Sequence, residues 1–165
     1  MIKFNVKENF PKENVRFIDF MPFFMDYKET NKVAKTIAKR IKKVDYIVMP
    51  ESRGYLLGTI VAHKLKTNMI PIRKHGKLPN EFIGATEEYK TEYSTTKIDI
   101  PKIDIKNKTC YFIDDVYATG GTYKACKKLI KKMGGIMKGG ICLYDVGISK
   151  NKEIYSLLTK EDIKE

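Results

Sequence analysis

Residues 111–122 read Y-F-I-D-D-V-Y-A-T-G-G-T, and that order of residue types leaves few folds open. An apolar run, Tyr111, Phe112 and Ile113, ends in two adjacent carboxylates, Asp114 and Asp115. Two hydroxyls and two glycines follow, Thr119, Gly120, Gly121 and Thr122. A lysine-rich stretch then places Ala125, Leu129, Ile130 and Met133 at helical spacing. Strand, acidic tip, glycine-rich loop and helix is an α/β unit whose backbone N–H groups, at a helix N-terminus, face a phosphate. Glycine lets the backbone come close to the anion and accepts a positive φ. The two Asp side chains are left to face sugar hydroxyls or a hydrated metal. The segment lacks the Gly-Lys-Ser/Thr of a P-loop and the G-x-G-x-x-G of a dinucleotide site.

The rest of the chain repeats the alternation. Val33, Ile37 and Ile41 mark an amphipathic helix over 28–43, D-Y-I-V-M-P (45–50) a short buried strand, and Leu57, Ile60, Val61 and Leu65 a helix over 54–66. N-M-I-P-I-R-K (68–74) is the next strand, followed later by a strand at 108–114, a helix at 121–133 and strands at 139–145 and near 154–158. Such alternation predicts a mainly parallel sheet with helices on both faces, with ligands beyond the carboxyl ends of its strands. Three motifs fall at such ends: 51–54, 73–77 and 114–122. Residues 1–27 are aromatic-rich and irregular, and 81–105, polar and without long apolar runs, reads as a lid or functional loop.

Composition narrows the function. A net charge of +12 invites nucleic-acid binding, but only four of the basic residues are arginines (Arg16, Arg40, Arg53, Arg73), and the lysines are dispersed. A small polyanionic substrate accounts for the same charge, so no nucleic-acid partner is expected. No run of 18 apolar residues is present, and the first ten residues are too polar for a signal peptide. Cys110, Cys126 and Cys142, odd in number and far apart, read as buried free thiols, and the expectation is a cytoplasmic protein without membrane association.

Two further motifs suit a diphosphate. P-E-S-R-G (50–54) offers N–H groups and a guanidinium after one strand, and I-R-K-H-G-K-L-P (72–79) sets Arg73, Lys74 and Lys77 around a glycine after the next. Alone, each is also an ordinary surface turn. The string 112–122 resembles the phosphoribosyl pyrophosphate (PRPP) signature of type I phosphoribosyltransferases. E-S-R-G-Y-L-L-G, I-P-I-R-K-H-G-K-L-P, the segment from Pro11 to Pro22, L-Y-D-V-G and Y-S-L-L together resemble adenine phosphoribosyltransferases over nearly the whole chain.

This resemblance implies the type I phosphoribosyltransferase fold as one domain over 1–165: a central mainly parallel sheet flanked by helices, a small N-terminal hood over 1–27 and a mobile catalytic loop over 81–105. It implies transfer of ribose 5-phosphate from PRPP to adenine with Mg²⁺, by a homodimer. Asp114 and Asp115 would hold the ribose, Ala118, Thr119, Gly120, Gly121 and Thr122 the 5′-phosphate, and Ser52, Arg53, Arg73, Lys74 and Lys77 the pyrophosphate. Of two Glu-Tyr candidates, Glu88-Tyr89 and Glu92-Tyr93, the spacing to the Asp pair matches Glu92 and Tyr93 to the family's catalytic element, with Ser94 in place of its glycine. Arg16, Phe17 and Ile18 fall in the base-binding segment, where Ile18 replaces an arginine frequent in the family. No dedicated metal-ligand set stands out, so Mg²⁺ would arrive on PRPP and water, with Asp114 and Asp115 as the carboxylates at hand. His75 is given no role. A phosphoribosyltransferase for hypoxanthine, guanine or xanthine, and a non-catalytic PRPP-sensing regulator, stay open as alternatives.

Overall fold

A computed structural model describes residues 2–90 and 95–163. The hood begins with two short strands, β1 (Asn5–Lys7) and β2 (Phe17–Asp19), paired antiparallel as a two-stranded sheet. The short helix α1 (Met21–Phe24) follows, and then α2 (Tyr27–Arg40), whose first turn is capped by Asp26 accepting from Glu29 N. Two strand–helix units come next: β3 (Tyr46–Pro50) with α3 (Arg53–Leu65), and β7 (Thr109–Tyr117) with α4 (Gly121–Lys132). Between them lie β4 (Asn68–Lys74), β5 (Ile83–Lys90) and β6 (Thr95–Pro101). The chain closes with β8 (Ile136–Asp145) and β9 (Ile154–Leu158).

Seven strands form one sheet in the order β5-β6-β4-β3-β7-β8-β9. The five from β4 to β9 run parallel, and β5 and β6 add antiparallel at one edge. Each face has its own core. On one side Ile37 of α2 and Leu57 and Val61 of α3 pack with Ile47, Ile113 and the hood residues Phe20 and Phe23. On the other, Cys126, Leu129 and Ile130 of α4 pack with Ile72, Ile98, Ile100 and Phe112. Leu129 and Ile130 are fully buried, a contribution of roughly 1.5–3 kcal/mol each before entropy. All three cysteines are buried and free. Burial pushes the Cys110 thiol up to about 12.

The described residues of the stretch 81–105, expected as a loop, are largely strand. Its period-2 signal is masked because the residues turned toward α4 include Ala85 and Glu87 rather than large aliphatics. Glu87 is kept there by Lys132, 2.7 Å away, and Lys128, 4.0 Å away. Ile98 and Ile100 supply the apolar face of β6. The first 27 residues, read as irregular, likewise contain the β1–β2 pair and α1.

Candidate active site

Parallel β3, β4 and β7 lie side by side, so their carboxyl ends present three turns to one region, as the sheet order requires. At the end of β7, Asp114 alternates outward and Asp115 turns inward, where it is only 3% exposed. Asp115 Oδ2 lies 2.9 Å from Arg53 Nε in the first turn of α3. The N–H is not aligned on that oxygen, so it keeps a free lone pair. Burial raises the Asp115 carboxyl, and the Arg53 charge opposes that shift. Asp114 lies well above the usual carboxylate range, first through burial and second through the charge of Asp115. One side chain of the pair is thus matched with an arginine, and the other lines the open site, its Oδ1 accepting from the Asp115 N–H at 2.9 Å.

The turn after β7 leads into α4 through Gly120, which has φ +79° and serves as the helix N-cap. A side chain there would be strained, and its Cβ would run into the hydroxyl of Tyr117 beneath the loop. Gly121 is approached from above: a Cβ on it would lie 2.8 Å from the Lys90 carbonyl. The Tyr89 hydroxyl accepts from Thr122 Oγ1 at 3.2 Å, which brings the β5–β6 pair against the phosphate loop.

A cavity of about 680 Å³ joins these features to the hood. Of the residues expected from sequence, it is lined by Arg16, Phe17, Ile18, Arg53, Asp114, Ala118, Thr119, Gly120, Gly121 and Thr122. Phe17 sits beneath Phe10 with ring centroids 5.2 Å apart, and the Arg53 guanidinium is 5.7 Å from the Phe17 ring. Arg53 Nη1 also donates to the Ile18 carbonyl at 3.4 Å, so one arginine ties hood to acidic pair. Ile18 keeps its side chain in the core, 5% exposed. Arg16 lies 3.1 Å from Glu8.

Ser52, Arg73, Lys74 and Lys77 fall outside the lining of that cavity, on the neighbouring strand ends, and so does Asp115, which is buried at the end of β7. Ser52 is the N-cap residue of α3, and Glu51 holds the end of β4 through Arg73 Nε at 3.2 Å and the Lys74 N–H at 3.0 Å. Glu92 and Tyr93 lie outside the described residues. Sequence reasoning missed Phe10, Tyr117, Tyr144 and Lys160, all of which line the cavity, and set aside Tyr89, which lines it too. Tyr117 carried a local signal, being inside the 112–122 string, and Tyr89 another, as half of a Glu-Tyr pair. No group of three or more His, Cys, Asp or Glu side chains able to hold a metal exists among the described residues, and no helix among them is long and apolar enough to cross a membrane.

A strand-end carboxylate pair, a glycine-rich helix N-terminus and an aromatic hood around one cavity suit a phosphorylated sugar joined to a flat ring. Comparison with known proteins agrees. The phosphoribosyl transferase domain model matches residues 26–163. An adenine phosphoribosyltransferase of Malacoplasma penetrans is 41% identical over 149 residues, 84% of this chain and 86% of that one. The crystal structure of adenine phosphoribosyltransferase from Thermoanaerobacter pseudethanolicus superposes with a TM-score of 0.86 at 33% identity, covering 94% of this chain and 95% of that one. The Saccharomyces cerevisiae enzyme, complexed with an imino-altritol bisphosphate and adenine, gives a TM-score of 0.84 at 28% identity and covers 94% of both chains. With the domain model spanning most of its length and so close a relative along four-fifths of it, the chain belongs to the phosphoribosyltransferase family of type I fold, among the adenine phosphoribosyltransferases.

Proposed function

We propose that this protein transfers ribose 5-phosphate from PRPP to N9 of adenine, giving AMP and pyrophosphate. The observation that carries the reading is the single cavity with the Asp114 and Gly120–Thr122 turn at one end and Phe17 at the other. The loop N–H groups from Ala118 to Thr122 bind the 5′-phosphate at the N-terminus of α4. Asp114, which lines the cavity, accepts from the ribose hydroxyls, and Asp115, paired with Arg53 behind it, completes the acidic pair assigned to the ribose. Phe17 and Phe10 cover the base.

Departure of pyrophosphate leaves oxocarbenium character on the sugar, as in glycoside cleavage, and negative charge on the leaving group. Ser52, Arg53, Arg73, Lys74 and Lys77 receive that charge. Glu92 handles the proton of the base, with Tyr93 beside it, and the β5–β6 pair excludes water that would hydrolyse PRPP. When bound, Mg²⁺ neutralises diphosphate oxygens. The metal would arrive on substrate and water, with Asp114 the carboxylate of the pair that lines the cavity and would face it. We further propose a cytoplasmic homodimer. Three free thiols suit a reducing compartment, and Met25 and Tyr27, 79% and 78% exposed, are apolar surface that a second copy would cover.

Incubation of the purified protein with adenine, PRPP and Mg²⁺, with the products separated by ion-pair chromatography, tests the reaction. AMP and pyrophosphate in equal amounts are expected. Hydrolysis of PRPP without AMP, or no turnover, would refute the proposal.

A further inference from the structure

One titratable cluster lies outside everything used so far. Asp99 of β6 is completely buried, 0% exposed, although it is a carboxylate. It accepts from Thr86 Oγ1 at 2.6 Å, and His75 Nδ1 lies 3.0 and 3.1 Å from its two oxygens. A carboxylate taken wholly out of water requires such donors, and a bidentate approach by one ring nitrogen fixes both the orientation of the imidazole and the proton on Nδ1. The opposite edge of the ring, carrying Nε2, is directed away from Asp99, and the side chain is 50% exposed. The structure therefore holds an imidazole rigidly by one edge and presents the other to solvent.

Its position gives that arrangement a use. His75 stands directly after β4, between Lys74 and Lys77, and its N–H donates to the Lys97 carbonyl at 3.0 Å while the Lys77 N–H donates to Lys74 O at 3.2 Å. This tight turn carries Lys74, His75 and Lys77 exposed together. Lys97, the nearest cation on β6, is paired with Glu88 at 3.5 Å. Lys74 and Lys77 have no acidic partner among the described residues. A turn bearing two unneutralised ammonium groups and a buttressed imidazole is a receptor for a multiply charged anion. An imidazole that donates through Nδ1 to Asp99 and through Nε2 to an anion carries both protons, and Asp99 supplies the counter-charge for that form.

We infer that His75 is a further pyrophosphate-binding residue, donating from Nε2 to a diphosphate oxygen beside Lys74 and Lys77, with Asp99 as the positioning residue behind it. This rests on the reading of the 73–77 turn as the pyrophosphate clamp. Because Asp99 belongs to β6, the contact also ties the clamp to the strand pair next to the catalytic segment.

The test is inhibition of the forward reaction by added pyrophosphate, measured as Ki for the wild type, His75→Ala, His75→Gln, Asp99→Asn and Lys77→Ala. Loss of one charged hydrogen bond is worth about tenfold. His75→Ala should raise Ki for pyrophosphate and KM for PRPP by about tenfold, with KM for adenine unchanged within twofold. His75→Gln, which retains an N–H donor, should recover part of the loss, and Asp99→Asn should shift Ki the same way by a smaller factor. Should Asp99→Asn fail to fold, the half-exposed His75 variants decide alone. A His75→Ala Ki within twofold of wild type, with Lys77→Ala raised, would overturn the assignment and leave His75 a purely structural brace, whatever its melting temperature. An unchanged Ki in Lys77→Ala as well would instead remove the clamp reading, and the inference with it.

Discussion

Arg53→Ala probes the linkage between hood and acidic pair, and its cost is set by what it leaves behind. Asp115 is 4% exposed as a side chain, and Arg53, 30% exposed, is its cationic partner at 2.9 Å. Removing one member of a fully buried pair costs about 3–5 kcal/mol. The partial exposure of Arg53 reduces this to about 2 kcal/mol. For a chain of this size that is roughly 4–8 °C in Tm. The penalty should depend on pH, with a definite sign. Burial raises Asp115 and Arg53 holds it down. Without the arginine its folded-state pKa rises further above the unfolded value of about 3.9. A group raised on folding favours the folded state at low pH and loses that contribution as pH rises through its folded value. The gap between variant and wild type is therefore larger at pH 8 than at pH 5. Adding Asp115→Asn removes the stranded charge and should recover about 1 kcal/mol at pH 8, which thermal melts of the four members of the cycle measure directly. A single mutant as stable as wild type at both pH values would refute this account of the pair. So would a double mutant no better than Arg53→Ala at pH 8.

Other expectations concern the same turn and its surroundings. Asp114 is raised by burial and by Asp115, so kcat/KM for PRPP should climb as pH rises through its titration, and Asp114→Asn should lose activity by about 1–3 kcal/mol and lose that limb of the profile. The same substitution should make the ligand-free protein relatively more stable than wild type as pH rises, read by melts at pH 5 and 8. Gly120→Ala forces a left-handed φ on alanine at about 1–2 kcal/mol and pushes against Tyr117. KM for PRPP should rise at least tenfold, and an unchanged KM would count against the loop as phosphate cradle. Glu92→Ala should lower kcat by about 10²-fold. Glu88→Ala, which removes only an exposed pairing with Lys97, should be mild. The reverse order would place the catalytic pair four residues earlier.

The parts of the molecule that were legible in the sequence are those whose cause is local. Ile37, Leu57 and Leu129 recur on the inner faces of their helices because a 3.6-residue period alone specifies that face. Asp114 to Thr122 form a site within one turn, so their order announced their use. The β5–β6 pair was hidden because Glu87 faces inward only when Lys128 and Lys132 of α4 arrive to meet it. Phe10 and Lys160 come to the cavity from two distant segments through tertiary packing, which no spacing in the chain records. Ile18 shows the limit in another way. It occupies a base-segment position in sequence, yet its side chain belongs to the core, and it is its carbonyl that meets Arg53. His75 and Asp99, 24 residues apart, become a pair only through the antiparallel addition of β6 to β4.

The central claim is adenine-specific transfer from PRPP. Steady-state kcat/KM for adenine, hypoxanthine, guanine and xanthine at saturating PRPP and Mg²⁺ tests it most directly. At its six position adenine donates through an amino group, where the 6-oxopurines accept through a carbonyl. A pocket built for one leaves a buried group unpaired with the other, which can discriminate by about 10⁴-fold. The account predicts adenine preferred by a wide margin over all three. Equal or better use of any 6-oxopurine would contradict it.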